Sequence, residues 1–524
     1  MTTPSDRFFP RHRAFQIFFA LLIGVSACSV LAQISSQIAQ DDDACSGIKV
    51  PSRVTLEASP SWQQFETLPR YCRVRGTIAE RIQFEMRLPE EWNGRFMMAG
   101  CGGYCGTLLP DKPGHSNSIN EALKRGYAAI SHDSGHQADS WEVDWAYDDT
   151  EALELWAHKV LPLVAGVGIE LTEAMYNESP DYRYFSGCSN GGRLGLMAAQ
   201  RYPDLFDGIA AGAPILDLSG TAGLWGNWMI DQTGAEKSVV LPTEKVAFVK
   251  EVVMAQCDAI DGQSDGIIND PHACSVDFTD FQCSDGEMSD SCLTEQQSNM
   301  LNSLYGGVRN NKGEVVNPAL LFGSEHYADI WHFGSIEMPA WGVRASQGYR
   351  QLLSNDLYGK ETPLTISTDE MEDWIERSSI PALTDAPDSD LSGLRKADTK
   401  LMIYQGWSDP LIIPDPVINY YEQAIEHGGN LDKLKENARL FMLPGWGHCW
   451  ERAAEAPDQF NPLQVLEPWV EQGEAPESFV AEQHNEQGEV VRSRPICAYP
   501  QVARYQSGRS PARAESYQCA LPEK

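Results

Sequence analysis

The chain has 524 residues, with 40 Lys and Arg against 74 Asp and Glu, and therefore a formal net charge of −34. With 42% hydrophobic and 22% charged residues, its composition is that of a folded globular protein with a large buried core. The negative charge excludes nucleic acid as a partner, since phosphate backbones are bound by positive surfaces. It also gives no support to binding at an anionic membrane surface.

The first 32 residues have the organisation of an export signal. Three arginines precede an apolar run over 14–25, which is too short for a membrane span and typical of a secretory signal. Cleavage before Gln33 is one interpretation. In the other, residues 25–28 resemble a lipoprotein box and Cys28 carries a lipid anchor. We expect no later stretch to be long and apolar enough for a transmembrane span. The mature protein is therefore expected to be exported and to be periplasmic, extracellular or anchored to the outer membrane.

The cysteine count agrees with export. Without Cys28, twelve of the 13 cysteines remain, and an even set in an exported chain indicates disulfides. A thiolate zinc site is the alternative, but it would need paired C-x-x-C spacings, which the sequence lacks. The short spacings suggest four local pairs: Cys101–Cys105, Cys257–Cys274, Cys283–Cys292 and Cys497–Cys519.

Apolar patterning predicts strands that alternate with helices. Strands are expected over 82–88, 95–99, 127–131, 182–186, 209–213, 400–404 and 439–443, and helices over 151–173 and 193–201. Such alternation is typical of an α/β domain with a mostly parallel sheet. Between 216 and 389 the pattern gives way to Trp-, Asp- and Gly-rich sequence. We therefore expect a core formed by 33–215 and 390–524, with an inserted lid domain over 216–389.

The strongest chemical motif is G-x-S-x-G at 187–191, between a predicted strand and a predicted helix. A nucleophile on such a turn needs glycines on both sides so that strand and helix can approach. The following helix N-terminus offers free N–H groups to an oxyanion. The motif predicts Ser189 as the nucleophile of a hydrolase. A phosphate-binding or purely structural glycine turn is the alternative.

A serine nucleophile needs a base and an orienting carboxylate, in the chain order Ser, Asp, His. His448 lies in a Gly- and Trp-rich loop after the last predicted strand of the core, and Asp409 follows the strand before it. Cys188 precedes the serine and Cys449 follows the histidine. If Ser189 and His448 are hydrogen-bonded, these two cysteines come close enough for a disulfide. Two unrelated buried cysteines are the alternative.

These Cys-Ser, Asp and His-Cys motifs resemble the tannase and feruloyl esterase family, which also includes mono(2-hydroxyethyl) terephthalate hydrolase. The similarity runs over nearly the whole mature chain, including 92–96 and 494–500. The resemblance implies an α/β-hydrolase fold with a large inserted lid. It implies Ser189 as nucleophile, His448 as base and Asp409 as the residue that orients the base.

The resemblance has further implications for the site. It implies the disulfides Cys188–Cys449 and Cys45–Cys72. It also implies an oxyanion hole formed by the backbone N–H groups of Asn190 and of a residue near Gly100, which we take as Gly100 itself. Cys101 and Cys105 are not shared by all members of the family.

Closely spaced aspartates and glycines over 257–270 offer hard oxygen donors on a loop that can surround one cation, which suits Ca²⁺ better than Mg²⁺. The loop lacks the spacing of an EF-hand, and an acidic solvated loop is the alternative. The resemblance implies a structural Ca²⁺ and no organic cofactor. Its expected ligands are the Asp258, Asp261 and Asp265 side chains and the Gln263 and Ile267 carbonyls.

The lid must supply most of the substrate selectivity. Its aromatic residues are expected either to form a slot for a flat acyl group or to build the lid's own core. Ile412, close to Asp409, is expected to line the acyl pocket. The predicted function is a secreted serine hydrolase of small aromatic-acid esters of feruloyl, galloyl or terephthalate-monoester type. A peptidase of the same fold and a non-catalytic, calcium-stabilised binding protein are the alternatives.

Overall fold

The structure is a computed structural model that describes residues 44–65, 67–112, 118–233, 241–284, 289–327, 341–359, 366–457 and 459–522. The predicted export signal, including Cys28, lies outside these residues.

Ten strands of the described chain form one sheet in the order β1-β3-β4-β6-β5-β7-β8-β11-β12, with β2 paired to β3. From β6 to β12 all neighbours are parallel, and β1 to β4 add an antiparallel edge. The strands are β1 Val54–Leu56, β2 Ser61–Gln63, β3 Tyr71–Ile78, β4 Ile82–Pro89, β5 Arg95–Ala99, β6 Ala128–His132, β7 Tyr182–Cys188, β8 Gly208–Gly212, β9 Val308–Arg309, β10 Val315–Asn317, β11 Lys400–Gly406, β12 Ala438–Leu443, β13 Ser478–His484, β14 Val490–Cys497, β15 Val502–Tyr505 and β16 Tyr517–Ala520.

Helices cover both faces of this sheet because successive residues of its strands point to opposite sides. In β11, Leu401 and Ile403 join one hydrophobic cluster, whereas Met402 and Tyr404 join the other. The α-helices are Asn120–Lys124, Thr150–Glu154, Val160–Tyr176, Asn190–Arg201, Gly226–Thr233, Thr243–Cys257, Glu295–Leu304, Trp341–Tyr358, Thr368–Arg377, Ile380–Thr384, Ser392–Ala397, Pro414–Gly428, Leu431–Leu434 and Pro462–Gln472. The arrangement confirms the predicted α/β class.

One helical segment, Thr150–Tyr176, is apolar and long enough to cross a membrane by length and composition. A helix was predicted here over 151–173, but the expectation that no later stretch is long and apolar enough to span a membrane is wrong by these two criteria. Two thirds of its most apolar window (67%) is buried inside the protein, and the segment packs on the sheet. It therefore has the burial of a core helix.

The region between β8 and β11 combines helices with the two-stranded sheet β9–β10. Helix Glu295–Leu304 begins with a capping box from Thr294 and Gln297, and helix Thr368–Arg377 begins with one from Ser367 and Glu370. Part of the region has its own hydrophobic cluster, whereas helix Trp341–Tyr358 packs into the cluster of the large sheet. The two ends of this region lie side by side, since the Ala386 amide donates to the Leu216 carbonyl at 2.7 Å.

Six disulfides staple the described chain, and their pairing coincides with the pairing expected from the sequence. They are Cys45–Cys72, Cys101–Cys105, Cys188–Cys449, Cys257–Cys274, Cys283–Cys292 and Cys497–Cys519. This number of bridges fits an extracellular protein folded in an oxidising compartment.

Candidate active site

Ser189 stands on the turn that joins β7 to helix Asn190–Arg201, at the carboxyl edge of the parallel strands. Its backbone has φ 64° and ψ −124°, a conformation that is costly for a residue with a side chain and is found at functional sites. The tight turn requires the glycines around it. A Cβ at Gly187 would lie 2.7 Å from the Gly191 carbonyl carbon, and one at Gly191 would lie 3.1 Å from that of Gly100.

His448 and Asp409 form a buried pair at the same edge of the sheet. His448 Nδ1 lies 2.9 Å from Asp409 Oδ2. The other carboxylate oxygen, Oδ1, accepts the amides of Leu411 at 3.0 Å and Ile412 at 2.9 Å. With Nδ1 donating to the carboxylate, the neutral ring presents Nε2 as a proton acceptor.

The disulfide between Cys188 and Cys449 joins the chain positions next to Ser189 and His448. The two cysteine Cα atoms are 5.9 Å apart, and Cys449 Sγ lies 3.7 Å from His448 Nε2. The structure therefore brings together the three residues expected to form a triad, although they come from three separate strand ends.

Two backbone amides near Ser189 have no acceptor among the described residues, and Gly100 does not supply either of them. The Gly100 amide donates to the Ser186 carbonyl at 2.9 Å, as an extension of the β5–β7 ladder. The prediction that Gly100 is an oxyanion donor is therefore wrong. The next amide, that of Cys101, is unpaired within the described chain, as is the Asn190 amide at the helix N-terminus. These two amides are the available donors.

An apolar cavity opens beside Ser189. Its volume is about 610 Å³, with the open solvent at its mouth included. Its walls come from the sheet edge, from the loop after Gly100 and from the region between β8 and β11: Gly103, Tyr104, Trp141, Trp156, Asn190, Ile215, Leu218, Thr221, Ala222, Trp225, Gly226, Met229, Gly342, Ala345, Leu411 and Ile412. Ile412, the residue expected to line the acyl pocket, is part of this wall.

Three aromatic residues of this cavity were not predicted from the sequence: Tyr104, Trp141 and Trp156. Tyr104 also fastens the loop after Gly100 to helix Trp341–Tyr358, because its hydroxyl donates to the Ala345 carbonyl at 2.7 Å. Tyr104 and Trp141 follow the ends of predicted strands, and those ends converge at the site. This position in the sequence could have indicated that both residues line the cavity.

The acidic loop over 258–267 is the expected cation site. Asp258 Oδ1 accepts the amides of 265, 266 and 267 at 3.2, 3.0 and 3.3 Å and so closes the loop on itself. Asp261 accepts from the Gln263 amide and from the Asn269 side chain, and Asp265 Oδ2 pairs with Arg494. No group of three His, Cys, Asp or Glu side chains that could hold a metal occurs in the described chain.

Two features of this loop nevertheless fit a hard cation. Asp265 Oδ1 is buried without a hydrogen-bond partner, which is costly for a carboxylate oxygen. Burial, with a smaller contribution from the charge of Asp265, raises the pKa of the Asp261 carboxyl. Asp265 Oδ1 and the carboxylate of Asp261 therefore suit Ca²⁺, although Asp261 Oδ1, like Asp258 Oδ1, also accepts from the backbone.

The acidic loop lies under the loop that carries His448. Ile267 belongs to the same hydrophobic cluster as Trp446, and a Cβ at Gly445 would contact the Ile267 side chain at 3.5 Å. The order of the acidic loop and the position of His448 are therefore linked by packing.

Comparison with known proteins identifies the family of this chain. The family model described as tannase and feruloyl esterase matches residues 67–520. An uncharacterized esterase of Xanthomonas campestris pv. campestris is 30% identical over 548 residues, which cover 95% of this chain and 92% of the relative. The mono(2-hydroxyethyl) terephthalate hydrolase of Piscinibacter sakaiensis is 28% identical over 535 residues, which cover 89% and 87% of the two chains.

Among solved structures, an esterase from Aspergillus oryzae superposes with a TM-score of 0.81 and 25% identity, covering 91% of this chain and all of that one. This similarity confirms the predicted α/β-hydrolase fold. The chain belongs to the tannase and feruloyl esterase family, and it is a carboxylic ester hydrolase.

Proposed function

We propose that this enzyme is a serine hydrolase that cleaves esters of aromatic acids through Ser189, His448 and Asp409. The observation that carries the proposal is the buried Asp409–His448 hydrogen bond, held next to Ser189 by the Cys188–Cys449 disulfide at the mouth of an apolar cavity. This is the arrangement that an activated serine requires.

In the proposed mechanism, His448 Nε2 accepts the proton of the Ser189 hydroxyl while Ser189 Oγ attacks the ester carbonyl. The negative charge that develops on the carbonyl oxygen is stabilised by the amides of Asn190 and Cys101. The alcohol leaves with the proton from His448 and an acyl-enzyme remains. A water molecule, activated by the same histidine, then releases the acid.

The aromatic character of the substrate is supported by the walls of the cavity. Tyr104, Trp141, Trp156 and Trp225 contribute rings to it, and such a slot favours a flat acyl group. The name of the Piscinibacter sakaiensis relative indicates a terephthalate monoester as its substrate, and the description of the family indicates feruloyl esters. Feruloyl, galloyl and terephthalate-monoester substrates are therefore the candidates.

A panel of esters tests this proposal. Methyl ferulate, methyl gallate, mono(2-hydroxyethyl) terephthalate and p-nitrophenyl butyrate are assayed with the wild type and with Ser189→Ala. We expect turnover of at least one aromatic ester, loss of that turnover in Ser189→Ala, and labelling of wild-type Ser189 by a fluorophosphonate. Faster cleavage of a matched anilide would favour a peptidase. The absence of both turnover and labelling in folded enzyme would favour a binding protein.

We further propose that the mature enzyme is exported. The six disulfides and the basic and apolar pattern of residues 1–32 support export. Mass spectrometry of the mature N-terminus separates the two forms of processing. A peptide that begins at Gln33 indicates ordinary signal cleavage, and a lipidated Cys28 indicates a lipoprotein. An unprocessed N-terminus in protein isolated from its native host would contradict export.

We also propose that Ca²⁺ binds the acidic loop and has a structural role. The unpartnered Asp265 Oδ1 and the raised pKa of Asp261 support this proposal. Asp261 and Asp265 would hold the ion, with the Gln263 and Ile267 carbonyls and the Asp258 side chain as further candidate ligands. The bound ion would neutralise the loop that supports the His448 loop.

A further inference from the structure

The residue after the nucleophile connects the two sides of the oxyanion hole through its side chain. Asn190 is buried, and its Nδ2 donates to the Cys101 carbonyl at 3.0 Å. The same nitrogen lies 3.2 Å from Cys105 Sγ, in the disulfide that closes the loop over 101–105. One side chain therefore links the helix that carries the Asn190 amide to the loop that carries the Cys101 amide.

Arg193 sets the orientation of this side chain. Its Nε donates to Asn190 Oδ1 at 2.7 Å, so the amide nitrogen of Asn190 must face Cys101. The rest of the guanidinium donates to the carbonyls of Ala157 at 2.9 Å, Thr384 at 3.1 Å and Trp156 at 3.1 Å, and it lies 4.3 Å from the centre of the Trp156 ring.

The burial of the charged Arg193 side chain costs folding free energy, which suggests that the residue has a functional role. The residue is completely buried, and it makes no salt bridge with the carboxylates of the described chain. A buried cation without an ion pair loses the solvation of its charge. Burial lowers the pKa of the guanidinium to about 9, and Arg193 therefore remains charged at neutral pH. Three carbonyls and one amide oxygen compensate part of this cost and fix the position of the group.

We propose that Asn190 and Arg193 are positioning residues that keep the Cys101 and Asn190 amides aimed at one point, where the oxyanion forms. This inference rests on the proposed function and adds to it a role for two side chains. The bond from Asn190 Nδ2 holds the Cys101 carbonyl, on one side of the Cys101 Cα, and the Cys101 amide lies on the other side of the same Cα. Without this bond the backbone at Cys101 can turn, and its amide is no longer preorganised. The loss of these donors raises mainly the free energy of the transition state, because the ground-state ester depends less on them.

Two variants of Asn190 test the proposal. Asn190→Leu has a similar volume and forms neither bond. Asn190→Asp keeps an acceptor for Arg193, forms a buried ion pair that protects the fold, and cannot donate to Cys101. We expect kcat to fall about 100-fold in each, the effect of a small misplacement of catalytic groups, with KM changed by less than about threefold. Affinity for an aryl boronic acid, which forms a tetrahedral adduct with Ser189, should fall in parallel, whereas affinity for the product acid should not change.

Asn437→Leu is the matched control. Asn437 is also buried and donates through Nδ2 to a backbone carbonyl, that of Thr399 at 3.1 Å, but it lies at the opposite edge of the sheet. We expect its loss to lower the stability without a change in kcat. If kcat in Asn190→Leu or in Asn190→Asp equals that of the wild type, the proposal is wrong. It is also wrong if binding of the product acid weakens as much as binding of the boronic acid.

The failure of this inference can be told from the failure of the proposed function. If Ser189→Ala abolishes turnover but the folded Asn190 variants keep wild-type kcat, only the positioning role is wrong. If Ser189→Ala keeps its turnover, the serine mechanism itself is wrong. If Asn190→Leu does not fold, Asn190→Asp alone decides.

Discussion

Cys188 and Cys449 are bonded to one another although they are 261 positions apart in the chain. Each is the immediate neighbour of a residue of the proposed triad, and together they tie the end of β7 to the loop after β12. A bond at this place limits how far Ser189 and His448 can separate, whatever the rest of the fold does. We therefore expect this bond to affect catalysis as well as stability.

Removing this disulfide with Cys188→Ala and Cys449→Ala should lower both stability and activity. Loop-closure entropy predicts a loss of about 5 kcal/mol in the free energy of unfolding for so long a loop. The control is the double alanine variant of Cys283 and Cys292, a bridge of separation 9 that lies away from the site. By the same model, loss of this short bridge should lower the free energy of unfolding by about 3 kcal/mol and leave kcat unchanged. Urea unfolding and ester turnover measure both effects, and an unchanged kcat without the Cys188–Cys449 bridge would contradict the coupling.

Asp409→Asn should leave the fold intact and lower kcat on the order of 10³- to 10⁴-fold, because the amide cannot stabilise a protonated His448. The acceptor for the Leu411 and Ile412 amides can be retained by the asparagine oxygen. The matched substitution Asp207→Asn removes a carboxylate that pairs with Arg183 at the far edge of the sheet and should leave kcat unchanged. A loss below tenfold in Asp409→Asn would mean that another group orients the histidine.

Calcium should raise the melting temperature, and a chelator should lower it. A ligand that binds only the folded state at 100 times its Kd adds about 2.7 kcal/mol to stability. Differential scanning calorimetry of the enzyme with EDTA, Ca²⁺ or Mg²⁺ should show a response to Ca²⁺ that is lost in Asp261→Asn and in Asp265→Asn. Asp280→Asn, an exposed change in the same region, should keep it. If EDTA does not change the melting temperature of enzyme purified without chelator, the proposed ion is absent.

Asp385 should make stability depend on pH. Its carboxylate accepts from the amides of Leu218 and Ser219 and from the Ser219 hydroxyl, where the insert leaves the sheet. Burial, assisted by the nearby charge of Asp217, raises the pKa of Asp385 from 3.8 to about 7. The other polar groups here are the Tyr349 hydroxyl, bonded to Ser219, and the Arg193 guanidinium.

The direction of the effect follows from proton binding. Between pH 4 and pH 7 the folded state holds a proton on Asp385 that the unfolded state has released, so stability falls as the pH rises through this window. Asp385→Asn cannot titrate and should flatten this part of the profile, measured by thermal unfolding at pH 4.5 and 7.5. The exposed Asp388→Asn should leave the profile unchanged. An equally steep profile in Asp385→Asn would assign the titration to another group.

Much of the core was predictable because its strands are short apolar runs between helices. Strand β5 has the predicted bounds, and helix Asn190–Arg201 begins three residues earlier than predicted, directly after Ser189. The antiparallel strands β1 to β3 and the four strands of the tail were not predicted. Strand β3 alternates buried residues with arginines that form ion pairs along its outer face, so its apolar pattern is weak.

The sequence by itself determined which chain positions meet at the site. Ser189, Asp409 and His448 each follow a strand, and the carboxyl ends of parallel strands lie at one edge of the sheet. Only the tertiary structure decided the details of that edge. The register Ala99↔Ser186 uses the Gly100 amide and leaves that of Cys101 available, and Arg193 orients Asn190 across elements distant in the chain. Such contacts depend on the packing of loops and on hydrogen-bond geometry, which local sequence patterns do not encode.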